Sequence, residues 1–314
     1  MADYFVVGPT IALQGEVAPG TLPILRVRTP GNKNGPRVSA VLESGRVRLD
    51  ASPEPLPSPA RIEALRLLAR VAERLAPPIL PLFISAHSPI GGPADLAADG
   101  FSAVQDGWIR ERGPFLRKHR TDSLDEVYRD PFTVPWNFVP RELDCMQPIL
   151  EAASPSPADF AVLDLGFGFG KNATFLESRG FAVSGIEISQ TATRRVREFV
   201  KHPGRFHNAS AASMPFADES FDAVLDVGCL HCMPAEQRSA AISEMHRVLR
   251  PGGLVSSRIF RPCDRAWVAR QPFLADSFGL SDADAAALFH PLLQVHVWRD
   301  APDMIYLCGR RAAA

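Results

Sequence analysis

Three short strings carry residue types and spacings suited to holding a ligand and moving a proton. Asp164, Gly166, Gly168 and Gly170 form D-x-G-x-G-x-G within DLGFGFGKN. Glu187 follows Gly170 by 17 positions, and Asp226, Gly228 and His231 form D-x-G-x-x-H. Glycines at alternate positions let the backbone take positive φ and approach a ligand closely. A strand, a glycine turn and a helix in succession present a helix N-terminus to that ligand. A carboxylate at the end of the next strand, here Glu187, can accept hydrogen bonds from both hydroxyls of a ribose. His231, with an ordinary pKa near ~6.5, suits proton removal from a nucleophile; the bland alternative is a histidine capping a strand end.

A nucleotide-like ligand leaves two readings, a dinucleotide or S-adenosylmethionine. Dinucleotide sites prefer G-x-G-x-x-G, which seats a pyrophosphate on the helix end. Here Lys171 and Asn172 follow the third glycine, so the spacing favours S-adenosylmethionine. Cys229 and Cys232 flank His231 in CLHC, a pattern that also fits a metal or redox pair. Nothing nearby supplies the remaining ligands, and no metal is expected.

Those residues need strands and helices at the right places, and the second part of the chain provides them. FAVLDL (160–165), FAVSGIEI (181–188), FDAVLDVG (221–228) and LVSSRIF (254–260) read as strands. KNATFLESRG (171–180), TATRRVREFVKH (191–202) and PAEQRSAAISEMHRVLR (234–250) read as helices between them. Alternation of this kind implies a mostly parallel sheet covered on both faces. QVHVWRD (294–300) and DMIYLCGRR (303–311) read as an antiparallel terminal hairpin.

The first part has a different texture: 18 of the 29 prolines precede residue 141. It opens on β-like runs, YFVVG, PILRVRT and RVSAVLESGRVRLD, the last a hairpin about Ser44-Gly45. A proline-rich turn leads to an amphipathic helix over 61–76, with Ile62, Leu65, Leu68, Ala72 and Leu75 on one stripe. Beyond it lie a basic run, Arg110, Arg112, Arg117, Lys118 and Arg120, read as a solvated loop, and a short acidic helix, DSLDEVYRD. Tyr128 within it is either core or lid.

The 314 residues, 46% hydrophobic and 22% charged, are enough for a large core and two domains. A formal net charge of -1 gives no reason to expect a nucleic acid or an anionic membrane as partner. No basic leader and no apolar run of ~20 residues stands out. Five cysteines, an odd number, argue against a disulfide framework and for a cytoplasmic setting.

The strings VLDLGFGFG, VSGIEIS, MPFADESFDAVLDVGCLH and HRVLRPGGL occur in the order and spacing of a known family. Over about residues 132–314 the chain resembles the class I S-adenosylmethionine-dependent methyltransferases. The resemblance implies an α/β, Rossmann-like, seven-stranded, mostly parallel sheet with an antiparallel C-terminal hairpin over 131–314. A smaller α+β domain over 1–130 would precede it. Asp164 would orient the loop, Gly166, Gly168 and Gly170 would line the methionine moiety, and Asn172 would join them. Glu187 would hold the ribose and Ile188 would lie against adenine. Ser210 stands where the family often has an adenine-binding acid, so the backbone of Ala211 would take that contact. Phe167 and Phe169 would wall the pocket or pack on the sheet.

PWNFVPRELDCMQPIL and LDVGCLHCMP resemble more closely the small-molecule methyltransferases of the thiopurine and tellurite-resistance type. That likeness implies that Trp136 covers the cofactor and Asn137 orients a substrate. It places Asp226 near the cofactor's amino group and His231 near the acceptor. The expected activity is methyl transfer to sulfur, nitrogen or oxygen of a small molecule, in biosynthesis. Two alternatives are cyclisation of the cofactor to azetidine-2-carboxylate with release of methylthioadenosine, and a non-catalytic cofactor-binding scaffold. The first part would shape an acceptor pocket, pair two copies in a homodimer, or hold a second activity.

Overall fold

Apolar residues alternating with polar ones in the first part, and near-continuous apolar runs in the second, produce two sheets of different character. The computed structural model describes residues 1–8, 11–19, 21–29, 32, 35–43, 46–51, 58–75, 82–85, 97, 101–105, 107–110, 123–262, 279–290, 293–301 and 303–312. The chain divides into one unit of Met1–Arg117 with Asp130–Arg141, and another of Lys118–Arg129 with Glu142–Ala314.

In the first unit, β1 (Ala2–Val7), β2 (Ala12–Val17), β3 (Ile24–Arg28), β4 (Arg37–Glu43) and β5 (Arg46–Ala51) form an antiparallel meander. β6 (Leu82–Ser85) adds in parallel to β5 after a helical crossover; β7 (Ser102–Val104) and β8 (Gly107–Arg110) complete the order β1-β2-β3-β4-β5-β6-β8-β7. The β2 strand had no clear sequence signal, because Gly15 and Glu16 interrupt its apolar run. Helix α1 (Ser58–Leu75) packs on β2, β4 and β5. Its buried stripe is Ala64, Leu67, Leu68, Val71 and Ala72, at helical spacing. That agrees with the expected Leu68 and Ala72, while the side chains of Ile62 and Leu65 lie outside the described residues. So do Arg112, Arg117, Lys118 and Arg120.

The expected boundary after residue 130 is replaced by an interleaved one. Residues 130–141 pack with the first unit because Phe132 and Phe138 enter its core, and Arg141 pairs with Asp3 in a buried ion pair. The Arg141 and Arg28 guanidinium groups lie 5.3 and 5.2 Å from the Phe5 ring centroid. The helix α2 (Leu124–Arg129), just before, goes with the second unit instead.

In the second unit, β9 (Ala161–Leu165), β10 (Ala182–Glu187), β11 (Phe206–Asn208), β12 (Phe221–Val227) and β13 (Leu249–Phe260) are parallel. β14 (Leu293–Ala301) and β15 (Met304–Arg311) form the terminal hairpin, and β15 pairs antiparallel with β13. The order β11-β10-β9-β12-β13-β15-β14 gives the seven strands expected, the three-residue β11 being too short to announce itself in sequence. Helices α3 (Leu143–Ala152), α4 (Lys171–Ser178), α5 (Gln190–Val196), α6 (Ala235–Val248) and α7 (Asp282–Phe289) accompany the sheet. Successive strand residues feed opposite cores: Val162, Ala223 and Leu225 one, Leu163, Leu165 and Val224 the other.

From β9 the chain steps outward through β10 and β11, then returns to β12 beside β9 and steps the other way. The reversal lies between β9 and β12, where open α/β sheets bind ligands beyond the carboxyl ends of their strands.

Candidate functional site

The glycine loop begins where β9 ends. Gly166, Gly168 and Gly170 have φ of +69°, +55° and +74°, a region that strains any other residue. A Cβ on Gly166 would stand 2.8 Å from Cβ of Cys229, and one on Gly170 2.2 Å from Cγ2 of Val196. The glycines therefore let the loop after β9 close against the loop after β12 and against α5.

The flanking phenylalanines take separate paths. Phe167 is buried edge-on against Phe206, with centroids 5.3 Å apart, over Gly185, where a Cβ would come within 2.6 Å of its ring. It packs on the sheet, one of the two readings open for it. Phe169 meets Tyr128 of α2 edge-on at 5.0 Å. A Cβ on Gly168 would lie 3.0 Å from the Tyr128 hydroxyl, so α2 sits directly against the loop.

Three carboxylates converge at this edge. Asp164, 1% exposed, receives an amide hydrogen bond from Ala173, while its Oδ2 has no partner among the described residues. Burial pushes its carboxyl up to about 7, against the lowering effect of the Ala173 amide; the Glu187 and Asp226 charges raise it further. Glu187 ends β10. Its Oε2 accepts from the Gly168 amide at 3.1 Å and its Oε1 from the Ser189 amide at 2.9 Å. Burial raises its pKa, and the amides partly oppose that. Ile188, next in line, is 58% exposed, an apolar side chain left uncovered beside a polar anchor.

Asp226 is fully buried. Its Oδ2 accepts from the Ser257 hydroxyl at 2.5 Å, and its Oδ1 from the amides of Cys229 and Leu230 at 2.9 and 3.3 Å. Burial raises its pKa despite these donors. So engaged, it holds the turn that carries His231. His231 is 2% exposed, and its Nδ1 accepts from the Phe260 amide at 3.3 Å. In the neutral ring that bond puts the proton on Nε2.

Cys229 and Cys232 are thiols rather than thiolates. Burial, then the charge of Asp226, raises both, Cys232 up to about 12. Among the described residues no cluster of His, Cys, Asp and Glu could hold a metal ion.

The remaining expected residues divide. Asn172 is the second residue of α4, half-buried behind the loop. The Ser210 hydroxyl accepts from the Ala212 amide at 3.1 Å, and Ala211 is buried in the core. Trp136 and Asn137 belong to the first unit. Asn137 accepts from the Val7 amide at 3.0 Å and donates to the carbonyls of Val7 and Pro131 at 2.7 and 3.1 Å. At 2% exposure it ties residues 130–141 to β1.

Other residues at this edge gave no sequence signal. Asp125 of α2 accepts from the Ser189 hydroxyl at 2.8 Å and from the Thr191 amide at 2.9 Å, so it caps α5 from another helix. The amide hydrogens of Asn208 reach the carbonyls of Glu187 and Ile188 at 2.9 and 2.8 Å, fixing the chain as it leaves β10.

Residues 162–253 match the family described as a methyltransferase domain. The matched segment is under a third of the chain, and the cofactor that the match implies is S-adenosyl-L-methionine. Among curated proteins, the chain is 31% identical over 180 residues to methyltransferase GfsG of Streptomyces halstedii, covering 52% of this chain and 60% of that protein. It is 38% identical over 164 residues to demethylmenaquinone methyltransferase of Tropheryma whipplei, covering 47% and 65%. A phthiotriol/phenolphthiotriol dimycocerosates methyltransferase of Mycobacterium tuberculosis is 36% identical over 113 residues, 34% of this chain and 41% of that protein. The chain thus spans between 41% and 65% of the length of these relatives. Among the described residues no helix is long and apolar enough to cross a membrane.

The site fits that cofactor on its own chemistry. Three buried carboxylates around an unpartnered Asp164 oxygen favour a cationic ligand, and a sulfonium with an ammonium group is one.

Proposed function

We propose that the protein transfers the methyl group of S-adenosyl-L-methionine to a small-molecule nucleophile. The observation that carries this reading is the tie between Gly168 and Glu187 at the sheet's reversal point, beside the unpartnered oxygen of Asp164. When bound, the cofactor supplies an electrophilic methyl group. The chain's own residues bind, orient and exclude water. Gly166, Gly168 and Gly170 offer backbone to the amino-acid end, and Asp164 supports it with negative charge. Glu187 accepts from the ribose hydroxyls, and Ile188 covers adenine. Asp226 holds the 229–231 turn, and His231 gives a donor from Nε2 to the acceptor's side. Holding two reactants in line is worth roughly 7–11 kcal/mol in well-oriented reactions, so no strong base is required for a soft or already ionised acceptor.

The finer placement beside the thiopurine and tellurite-resistance enzymes rests on the Asp226-Gly228-His231 ending. The cytoplasmic setting rests on the cysteine usage. A role for the first unit in acceptor binding or in pairing two copies rests on its size alone.

Incubation with S-adenosyl-L-methionine, with and without a panel of small thiols, amines and phenols, tests the reading. S-adenosylhomocysteine formed only when an acceptor is present is the expected result. Methylthioadenosine formed without acceptor would establish cyclisation instead. Neither product, with cofactor binding intact, would establish a scaffold.

A further inference from the structure

Both oxygens of Glu187 are held by amides, Oε2 by that of Gly168 at 3.1 Å and Oε1 by that of Ser189 at 2.9 Å. The short helix α2 touches each of those two donors with a different side chain. Asp125 accepts from the Ser189 hydroxyl at 2.8 Å, and from the Thr191 amide and hydroxyl at 2.9 and 3.1 Å. A Cβ on Gly168 would stand 3.0 Å from the Tyr128 hydroxyl, and the Tyr128 ring meets Phe169 edge-on. Asp125 and Tyr128 are three positions apart, which puts them on one face of the helix. Ser189 is 1% exposed, and its hydroxyl also accepts from the Ala192 amide. It therefore caps α5 while it joins α2 to the end of β10.

These contacts close a circuit from Glu187 through Ser189 to Asp125, along α2 to Tyr128, and back through Gly168 to Glu187. Gly168 lies in the loop after β9 and Ser189 in the turn after β10, so one helix spans both strand ends. Resting on the function proposed above, we propose that α2 is a positioning helix for the cofactor: Asp125 and Tyr128 set the two residues whose amides orient Glu187, so the docking of α2 and the binding of the cofactor are coupled. Their effect runs through Ser189 and Gly168, not through the reacting atoms. A binding group must be held to within about 0.5 Å by its supporting hydrogen bonds, and a Ser189 hydroxyl released from Asp125 lets the 189–191 turn shift by more than that. Linkage makes the effect reciprocal: the cofactor strengthens the docking of α2 by the factor by which docked α2 strengthens cofactor binding.

Two measurements on the full chain test this. In the wild-type protein, saturating S-adenosylhomocysteine should slow amide hydrogen exchange at 124–129 by about fivefold or more. In calorimetry, Asp125→Ala should bind S-adenosylhomocysteine about fivefold or more weakly than wild type. Asp125→Asn keeps an oxygen that accepts from Ser189 and Thr191, and should bind close to wild type. Asp125→Asn as weak as Asp125→Ala would trace the effect to charge and overturn the role given to these hydrogen bonds. Exchange at 124–129 that ignores the ligand, or equal affinities of wild type and Asp125→Ala, overturns the proposal and leaves the cofactor reading standing. The exchange measurement needs no variant, so it decides the matter even where Asp125→Ala fails to fold. A wild-type protein that binds no S-adenosylhomocysteine overturns the cofactor reading and this proposal with it.

Discussion

The amide of Gly168 donates to Oε2 of Glu187 across 3.1 Å, joining the loop after β9 to the end of β10. The amides of Gly166 and Phe167 reinforce the tie by donating to the Ile186 carbonyl at 2.8 and 3.2 Å. The loop after β9 and the end of β10 are thus held to each other by three amide donors. A ligand that bridges them meets groups already in place, which lowers the ordering cost of binding.

Packing beneath the loop gives a first prediction. Phe167 fits only because Gly185 has no side chain. Gly185→Ala should destabilise the second unit by about 1–3 kcal/mol through overpacking, and Phe167→Ala by about 3–5 kcal/mol through the cavity it leaves. The double variant should lose less than the sum, because the methyl enters space that the ring vacated. Urea midpoints followed by circular dichroism check this; additive losses would show that the two residues do not share the space.

Asp164 gives a prediction in pH. Its folded pKa, about 7, lies above the model-peptide value of 3.8, so between these limits the native state holds a proton that the unfolded chain releases. Stability of the ligand-free protein therefore falls as pH rises through that window. The loss is absent below about pH 4, complete above about pH 7, and amounts to up to about 4 kcal/mol. Glu187 and Asp226 are raised as well, so the measurement is the difference between wild type and Asp164→Asn across pH 4 to 8. Parallel curves would refute the assignment.

His231 gives a spectroscopic prediction. With Nδ1 accepting from the Phe260 amide, nitrogen-15 spectra of the ring at neutral pH should show the proton on Nε2. His231→Asn should keep the Phe260 amide partnered and unfold near the wild-type midpoint, because its side-chain oxygen can stand in for Nδ1. His231→Ala should cost about 1 kcal/mol or more, since it removes the acceptor of that part-buried amide. A proton found on Nδ1 would restore the ring as a base at Nε2.

The strands, the glycine turn and Glu187 were legible because each is local. Apolar runs of four to eight residues bounded by glycine announce strands, and the glycine spacing announces the turn. Asp125 was not legible, because its partners Ser189 and Thr191 lie 64 and 66 residues away. Phe167 illustrates a two-sided case. Its sequence neighbourhood fits a pocket wall and a sheet contact equally, and only Gly185 and Phe206 decide between them. The hydrogen bonds of Asn137 to Val7 were not legible either, because β1 supplies them from 130 residues away.

That distant contact of Asp125 is itself testable. Its carboxylate caps α5 and is held below the usual carboxylate range, first by the Thr191 amide. Asp125→Ala should cost about 1 kcal/mol and speed amide hydrogen exchange in 124–129. The effect should be present above about pH 4 and fade as pH falls through the lowered pKa. Unchanged exchange would mean that α2 is held by Tyr128 and Phe169 alone.

Calorimetric titration of S-adenosylhomocysteine into wild-type protein and Glu187→Ala bears most directly on the account. A carboxylate that accepts from two ribose hydroxyls is worth about 3 kcal/mol or more, so the variant should bind about a hundredfold more weakly while the wild type binds with one site per chain. Equal affinities would place the cofactor elsewhere, and no binding to the wild type would leave the sheet and its loops without the function proposed for them.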